Sequence, residues 1–121
     1  MLRILIVDDN PMIRSSLRSW FERDPQWKVC GEAENGQLAI AKVNELHPDI
    51  VLMDFQIPVM NGLEATRQIS SRAPEIAVLL FTMHPSGELL KAARAAGAKD
   101  VVSKSDRLSD HLSTALKQIN V

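Results

Sequence analysis

Ile50-Val51-Leu52-Met53-Asp54 is the stretch on which the fold turns. Four apolar residues run without polar alternation into a single carboxylate. A short apolar run of that kind suits a strand buried on both faces, as in a parallel sheet covered by helices. Asp54 then stands at the carboxyl end of the strand. In open parallel sheets that end is where ligands bind.

Three other stretches repeat the form. Ile4-Leu5-Ile6-Val7 runs into Asp8-Asp9, Val78-Leu79-Leu80-Phe81 into Thr82, and Val101-Val102 into Ser103-Lys104. Between these runs the apolar spacing becomes helical. Strand one is expected over Arg3–Val7. Asn10 then offers an N-cap and Pro11 a first helical residue, for a helix over Pro11–Arg23 carrying Ile13, Leu17, Trp20 and Phe21 on one stripe. Asp24-Pro25 stops it, because proline disfavours helical geometry in the residue before it. Trp27–Ala33 alternates enough to be an edge strand with one polar face. Leu38, Ile40, Ala41, Val43 and Leu46 mark a second helix that ends at His47-Pro48, ahead of the Asp54 strand.

Pro58 and Asn61-Gly62 make the segment after Asp54 a loop, with Gly62 suited to a positive φ or a close backbone approach. A third helix is expected up to Ala73-Pro74, a fourth strand over Ile76–Phe81, and a small-residue helix capped by Ser86 and closed by Gly97. Asp100–Ser103 reads as strand five, and Leu108, Leu112, Leu116 and Ile119 as the stripe of a last helix. Five strand–helix units imply an α/β fold, a parallel sheet with helices on both faces, joined by right-handed crossovers.

The totals agree with a single domain over 1–121. The chain has 121 residues, 45% hydrophobic and 24% charged, enough for a core and ordinary for a globular protein. A formal net charge of -1 gives no basic field for nucleic acid, so direct DNA binding by this segment is not expected. Its one cysteine, Cys30, can form no intramolecular disulfide. The apolar run after Arg3 is too short for a leader or a membrane span, so a cytoplasmic location without membrane contact is expected.

Asp8, Asp9, Asp54, Thr82 and Lys104 all fall at strand ends. Each alone has an ordinary reading: a turn or capping pair, a strand-to-loop hydroxyl, a solvated lysine. Together they describe one chemistry. Crowded carboxylates about 4 Å apart repel by roughly 4 kcal/mol at an effective dielectric near 20, and need a cation among them. Hard oxygen donors without histidine or thiol suit Mg²⁺, or Mn²⁺. A carboxylate beside such an ion and a lysine can act as a nucleophile toward phosphorus. Lys104 would then neutralise phosphoryl oxygens while the Thr82 hydroxyl hydrogen-bonds one of them. His84 and His111 read as exposed polar residues, His47 as a helix-end residue, and Met53, Met60 and Met83 as packing.

With Pro58 and Gly62 beside Asp54, this set resembles the receiver domain of bacterial two-component response regulators. The resemblance covers Met1 to Val121, and Met53–Thr66 is most similar to the LuxR/FixJ-type regulators, whose receivers usually precede a helix-turn-helix DNA-binding domain. No such output domain is expected within this chain. The resemblance implies a flavodoxin-like three-layer sandwich with strand order 2-1-3-4-5. It implies that Asp54 accepts a phosphoryl group from a sensor histidine kinase. Asp9, Asp54 and the Gln56 backbone carbonyl would bind Mg²⁺, with Asp8 acting through a bound water. Lys104 would pair with the phosphoryl group and Thr82 would move toward it. The chain would catalyse only its own phosphoryl transfer and dephosphorylation, and so would not be an enzyme with turnover. A partner or a second copy would bind the switched face, and the outcome would be regulation of transcription.

Two positions depart from the family pattern. Val101 stands where an aromatic residue usually couples to the threonine, and Ser105 stands where proline usually follows the lysine. Val101 keeps open a pseudo-receiver that signals by protein contact without phosphorylation. Gln56, in place of a second carboxylate two residues after Asp54, disfavours a phosphatase with turnover. Asp8-Asp9 would repel a flavin phosphate.

Overall fold

The structure, a computed structural model, describes residues 2–104 and 108–119. Its elements alternate: β1 (Leu2–Val7), α1 (Pro11–Glu22), β2 (Trp27–Ala33), α2 (Gly36–Leu46), β3 (Ile50–Asp54), α3 (Gly62–Arg72), β4 (Ala77–Thr82), α4 (Gly87–Ala96), β5 (Asp100–Ser103) and α5 (Leu108–Ile119). The five strands form one parallel sheet in the order β2-β1-β3-β4-β5. This is the expected flavodoxin-like topology. Boundaries move by a residue. β4 reaches Thr82 because Thr82 pairs with Ser103, whereas the Ile76 N–H bonds the Ala73 carbonyl in a turn.

The period of two along each strand divides the core into halves. Leu5, Val7, Val51, Met53, Val78 and Leu80 pack with Ala39 and Val43 of α2, Ala65 and Ile69 of α3, and Ala93 of α4. Ile4, Ile6, Ile50, Leu52, Leu79 and Phe81 pack with Leu17 and Phe21 of α1, and Leu112 and Leu116 of α5. Three helices thus cover one face and two the other. All five residues of β3 are buried, which explains why its sequence has no polar alternation. β2 lies at an edge as expected, and slips by one residue opposite Ile4/Leu5, leaving Cys30 as the extra residue of a bulge.

Each strand runs up into a loop and each helix runs back down, so the helix N-termini gather above the carboxyl edge of the sheet. Asn10, Asn35, Asn61 and Ser86 cap four of them, accepting from the N–H groups of Met12, Leu38, Glu64 and Leu89. Those ends carry the positive poles of the helix dipoles, a field that favours anions at the same edge.

Some expectations are refined or corrected. Of the two roles open to Gly62, a positive φ is not the one it takes. It permits a close approach: a Cβ there would lie 2.3 Å from the Asp54 carbonyl oxygen and 2.9 Å from Phe55 Cα. The left-handed residue of that loop is Val59, at φ 71°, where the Met60 N–H bonds the Pro58 carbonyl at 2.8 Å in a γ-turn. His111 is half-buried, with Nδ1 3.5 Å from the Ser103 carbonyl, because α5 folds back over β5. Met83 is 59% exposed and not a packing residue, since it follows the last paired residue of β4 into the loop. Ser105 lies outside the described residues.

Candidate phosphoryl and metal site

The parity that divides the core also builds the site. Ile6, Leu52 and Val102 face α1 and α5. Two residues further along each strand stand Asp8, Asp54 and Lys104, which therefore share that side at the sheet's upper edge. Asp8 and Asp54 are buried, at 1% and 4% exposure. Lys104 Nζ lies 3.0 Å from Asp8 Oδ2 and 2.9 Å from Asp54 Oδ2, joining the two carboxylates. Its backbone N–H donates to the Thr82 carbonyl at 2.8 Å, which holds the lysine against β4. The ammonium also sits 4.5 Å from the centroid of the Phe81 ring, the residue paired with Asp54 in register. A cation over a ring face is attracted by the ring's quadrupole.

The remaining carboxylate oxygens are held from the backbone. Asp54 Oδ1 accepts from the Gln56 N–H at 3.1 Å, and Asp8 Oδ1 from the Asn10 N–H at 2.8 Å. Asp9 is exposed. Carboxylate oxygens of Asp8, Asp9 and Asp54 all lie within 4.8 Å of one another. An octahedral Mg²⁺ has oxygens at about 2.1 Å, hence about 3 Å apart when adjacent and about 4 Å when opposite, so these donors would close in by up to about 2 Å to share one directly, and by less where a water stands between. Donor type fits that ion, and the spacing is within its reach.

Burial pushes the Asp54 carboxyl above the usual carboxylate range; Lys104 pulls it back and Asp8 adds to the rise. Burial alone would lower the Lys104 ammonium, but its hydrogen bonds to Asp54 and Asp8 outweigh that and hold it above its ordinary value. The two rises have different leading causes: burial for Asp54, and the paired carboxylates of Asp54 and Asp8 for Lys104. A pocket that sets one lysine among three carboxylates attracts a further cation and then an electrophile bearing anionic oxygens.

Asp8, Asp9, Asp54 and Lys104 therefore come together as their strand-end positions suggest. Thr82 is buried at the adjacent strand end but belongs to the other parity. Its hydroxyl accepts from the His84 N–H at 3.2 Å and makes no hydrogen bond to Asp54 among the described residues. The Gln56 side chain is exposed, and its backbone N–H is the group tied to Asp54. In the sequence Phe81 reads only as the end of an apolar run; the β3–β4 register, which pairs it with Asp54, is what places it beneath the lysine. Val101 is half-buried and packs against the α2–α3–α4 half of the core. Cys30 stands apart, partly buried, with Sγ 3.4 Å from the Ile4 carbonyl and its thiol pushed up by burial, the opposite of an activated nucleophile.

Comparison with known proteins gives this geometry its relatives. Residues 4–116 match the response regulator receiver domain family. A protein-glutamate methylesterase/protein-glutamine glutaminase of Methanosarcina mazei is 42% identical over 113 residues, covering 91% of this chain and 31% of that protein. The transcriptional regulatory protein LnrK of Bacillus subtilis is 37% identical over 120 residues, covering 99% of this chain and 54% of that protein. The chain thus spans from about a third to about half the length of these relatives. Among solved structures, a LuxR-family two-component response regulator from Aurantimonas superposes with a TM-score of 0.91 at 37% identity, covering 98% of this chain and 84% of that one. The response regulator domain of Thermotoga maritima CheB superposes with a TM-score of 0.90 at 29% identity, covering 100% and 98%. Among the described residues no helix is long and apolar enough to cross a membrane. With the fold, the strand-end acids and the match over nearly its whole length in agreement, the chain belongs to the response regulator receiver domain family.

Proposed function

We propose that this domain receives a phosphoryl group on Asp54 from the phosphohistidine of a sensor histidine kinase and thereby switches an output surface. The observation that carries the reading is the lysine that bridges two buried aspartates, at 2.9 and 3.0 Å, inside a three-carboxylate cluster. Asp8, Asp9, Asp54 and the Gln56 carbonyl are the groups that would hold Mg²⁺. When bound, that ion would offset the cluster's charge and that of the incoming phosphoryl oxygens.

The protein's own groups supply the rest. An Asp54 carboxylate oxygen attacks phosphorus, an O–P bond forms, and the P–N bond breaks with its electron pair leaving on the imidazole. Lys104, already beside Asp54, passes from pairing a carboxylate to pairing a phosphoryl oxygen. The Gln56 N–H keeps the other Asp54 oxygen oriented. The aspartyl phosphate adds about -1.5 to -2 charge. Thr82 leaves its bond to the His84 N–H to hydrogen-bond the new oxygen, which shifts the β4–α4 loop. Because Val101 is not aromatic, output passes through backbone movement around α4 and β5 rather than a ring rotamer. The domain would turn over only its own phosphate.

Relatives that include a transcriptional regulatory protein and a LuxR-family response regulator support a further step. The residues from 1 to 121 act as a single receiver whose output is transcription, through a helix-turn-helix domain outside this segment, with a partner or second copy binding the switched face. No direct nucleic-acid contact by this segment is invoked, and the setting is the cytoplasm.

The test is intact mass after incubation with acetyl phosphate, with and without Mg²⁺, on wild type and Asp54→Asn. One added phosphoryl group that requires both Mg²⁺ and Asp54 is the expected result. Equal labelling of the Asn variant would show that Asp54 is not the acceptor. No labelling under any condition would favour a phosphorylation-independent interaction module.

A further inference from the structure

Every polar atom of Asp8 is tied. Its N–H donates to the Ala33 carbonyl at 3.1 Å, its side-chain oxygens accept from Asn10 and Lys104, and its carbonyl accepts from Arg14 Nη1 at 2.6 Å. That last contact reaches back from α1 to the peptide unit that joins Asp8 to Asp9. Arg14 does not hold it alone. Its Nε donates to Glu32 Oε1 on β2 at 3.0 Å, and Glu32 Oε2 is held by Arg18 Nε at 2.8 Å. Arg14 is 17% exposed at the side chain and is thus packed between α1 and β2, whereas Arg18 and Glu22 at the outer end are 37% and 53% exposed.

Asp9 is the one member of the carboxylate cluster whose side chain accepts no hydrogen bond among the described residues. With no such anchor, its place beside Asp8 and Asp54 depends on the backbone that carries it. A guanidinium presents its N–H donors in a fixed plane, so one group can hold a carbonyl and a carboxylate at once and fix the angle between them.

We infer that Arg14 is a positioning residue for the metal site, orienting the Asp8–Asp9 peptide so that Asp9 faces Asp8 and Asp54, with Glu32 and Arg18 locking the guanidinium in place. This inference rests on reading the three-carboxylate cluster as a Mg²⁺ site. The arrangement makes a prediction whose sign separates positioning from charge. Arg14 is a cation next to a cation site. If it acted only through its charge, removing it would tighten Mg²⁺ binding, because a like charge would be gone. If it positions Asp9, removing it weakens binding despite the lost repulsion.

The experiment titrates Mg²⁺ alone into wild type, Arg14→Met, Arg14→Lys, Asp9→Asn and Glu22→Gln by calorimetry, with the thermal midpoint of each measured in EDTA. Groups that orient metal ligands typically change affinity by about 10- to 100-fold when removed, so the Mg²⁺ Kd of Arg14→Met is expected to rise by at least about 10-fold. Arg14→Lys keeps the charge but reaches only one of the two acceptors, and should fall between the Met variant and wild type. Glu22→Gln, at the exposed outer end, should bind as wild type does. An Arg14→Met variant that binds Mg²⁺ as well as wild type or better, whatever its midpoint, overturns the positioning role and leaves the metal site standing. A wild type that binds no Mg²⁺, or an Asp9→Asn that binds like wild type, overturns the metal-site reading and this inference with it.

Discussion

Replacing Asp54 by Asn should stabilise the domain in the absence of divalent cations, even though it removes a partner of Lys104. Asp54 is 4% exposed, so its charge is largely stripped of water. Lys104 at 2.9 Å attracts it by about 6 kcal/mol at an effective dielectric near 20. Asp8 and Asp9 lie within 4.8 Å, and a carboxylate at that distance repels it by about 3.5 kcal/mol. The two repulsions slightly exceed the attraction, leaving about 1 kcal/mol against the charge. Solvent around exposed Asp9 reduces that figure, and desolvation of Asp54 increases it. The Asn amide keeps the shape and the Gln56 N–H contact at 3.1 Å but carries no charge. For a chain of this size, 1 kcal/mol corresponds to about 3–6 °C in thermal midpoint. Calorimetry at pH 7.5 in EDTA should therefore show Asp54→Asn melting about 3–6 °C above wild type, and millimolar Mg²⁺ should raise wild type but not the variant. A variant that melts below wild type in EDTA would refute the reasoning, because it would mean that the Lys104 pairing outweighs carboxylate crowding and that the pocket has no need of a second cation.

Two further outcomes follow from other contacts. Gly62→Ala should cost about 1–3 kcal/mol in urea unfolding, since its Cβ would meet the Asp54 carbonyl at 2.3 Å and Phe55 Cα at 2.9 Å, both backbone atoms that cannot rotate away; an unchanged midpoint would show that the loop gives way freely. For Glu32, burial pushes the carboxyl up but the hydrogen bonds to Arg18 and Arg14 outweigh it and hold it below its ordinary 4.5. A carboxylate lowered on folding contributes stability that is fully present above its unfolded value and is lost as pH falls through the folded one. Glu32→Gln should thus melt below wild type at pH 7, with the gap beginning to close near pH 4.5 and closing fully only below the lower folded value, as read by thermal scans from pH 3 to 7. A gap that stayed undiminished at pH 3 would mean that the pair matters for its shape and not its charge.

Local pattern sets the order of elements and marks the acids that matter. An unalternated run such as Ile50–Met53 is buried on both faces wherever the sheet places it, and an acid at its end marks where the apolar core gives way to polar partners. Asn10-Pro11 and Gly97 punctuate helices through backbone preferences that act within a few residues. Which strands are neighbours was legible only through the family resemblance, since nothing in β1 states that β3 lies beside it. The folded arrangement supplied the rest. It gave Asp8, Asp54 and Lys104 one parity and Thr82 the other, it set Phe81 under the lysine, and it showed Gly62 to be a close approach with the positive φ at Val59. It also tied the Asp8 carbonyl to Arg14 and, through Glu32, to Arg18. The physical reason is range. Propensity and periodicity act over one or two turns of chain, whereas the contact between Lys104 and Asp8 closes a loop of 96 residues, and only the register of five paired strands fixes which side chains meet at its ends.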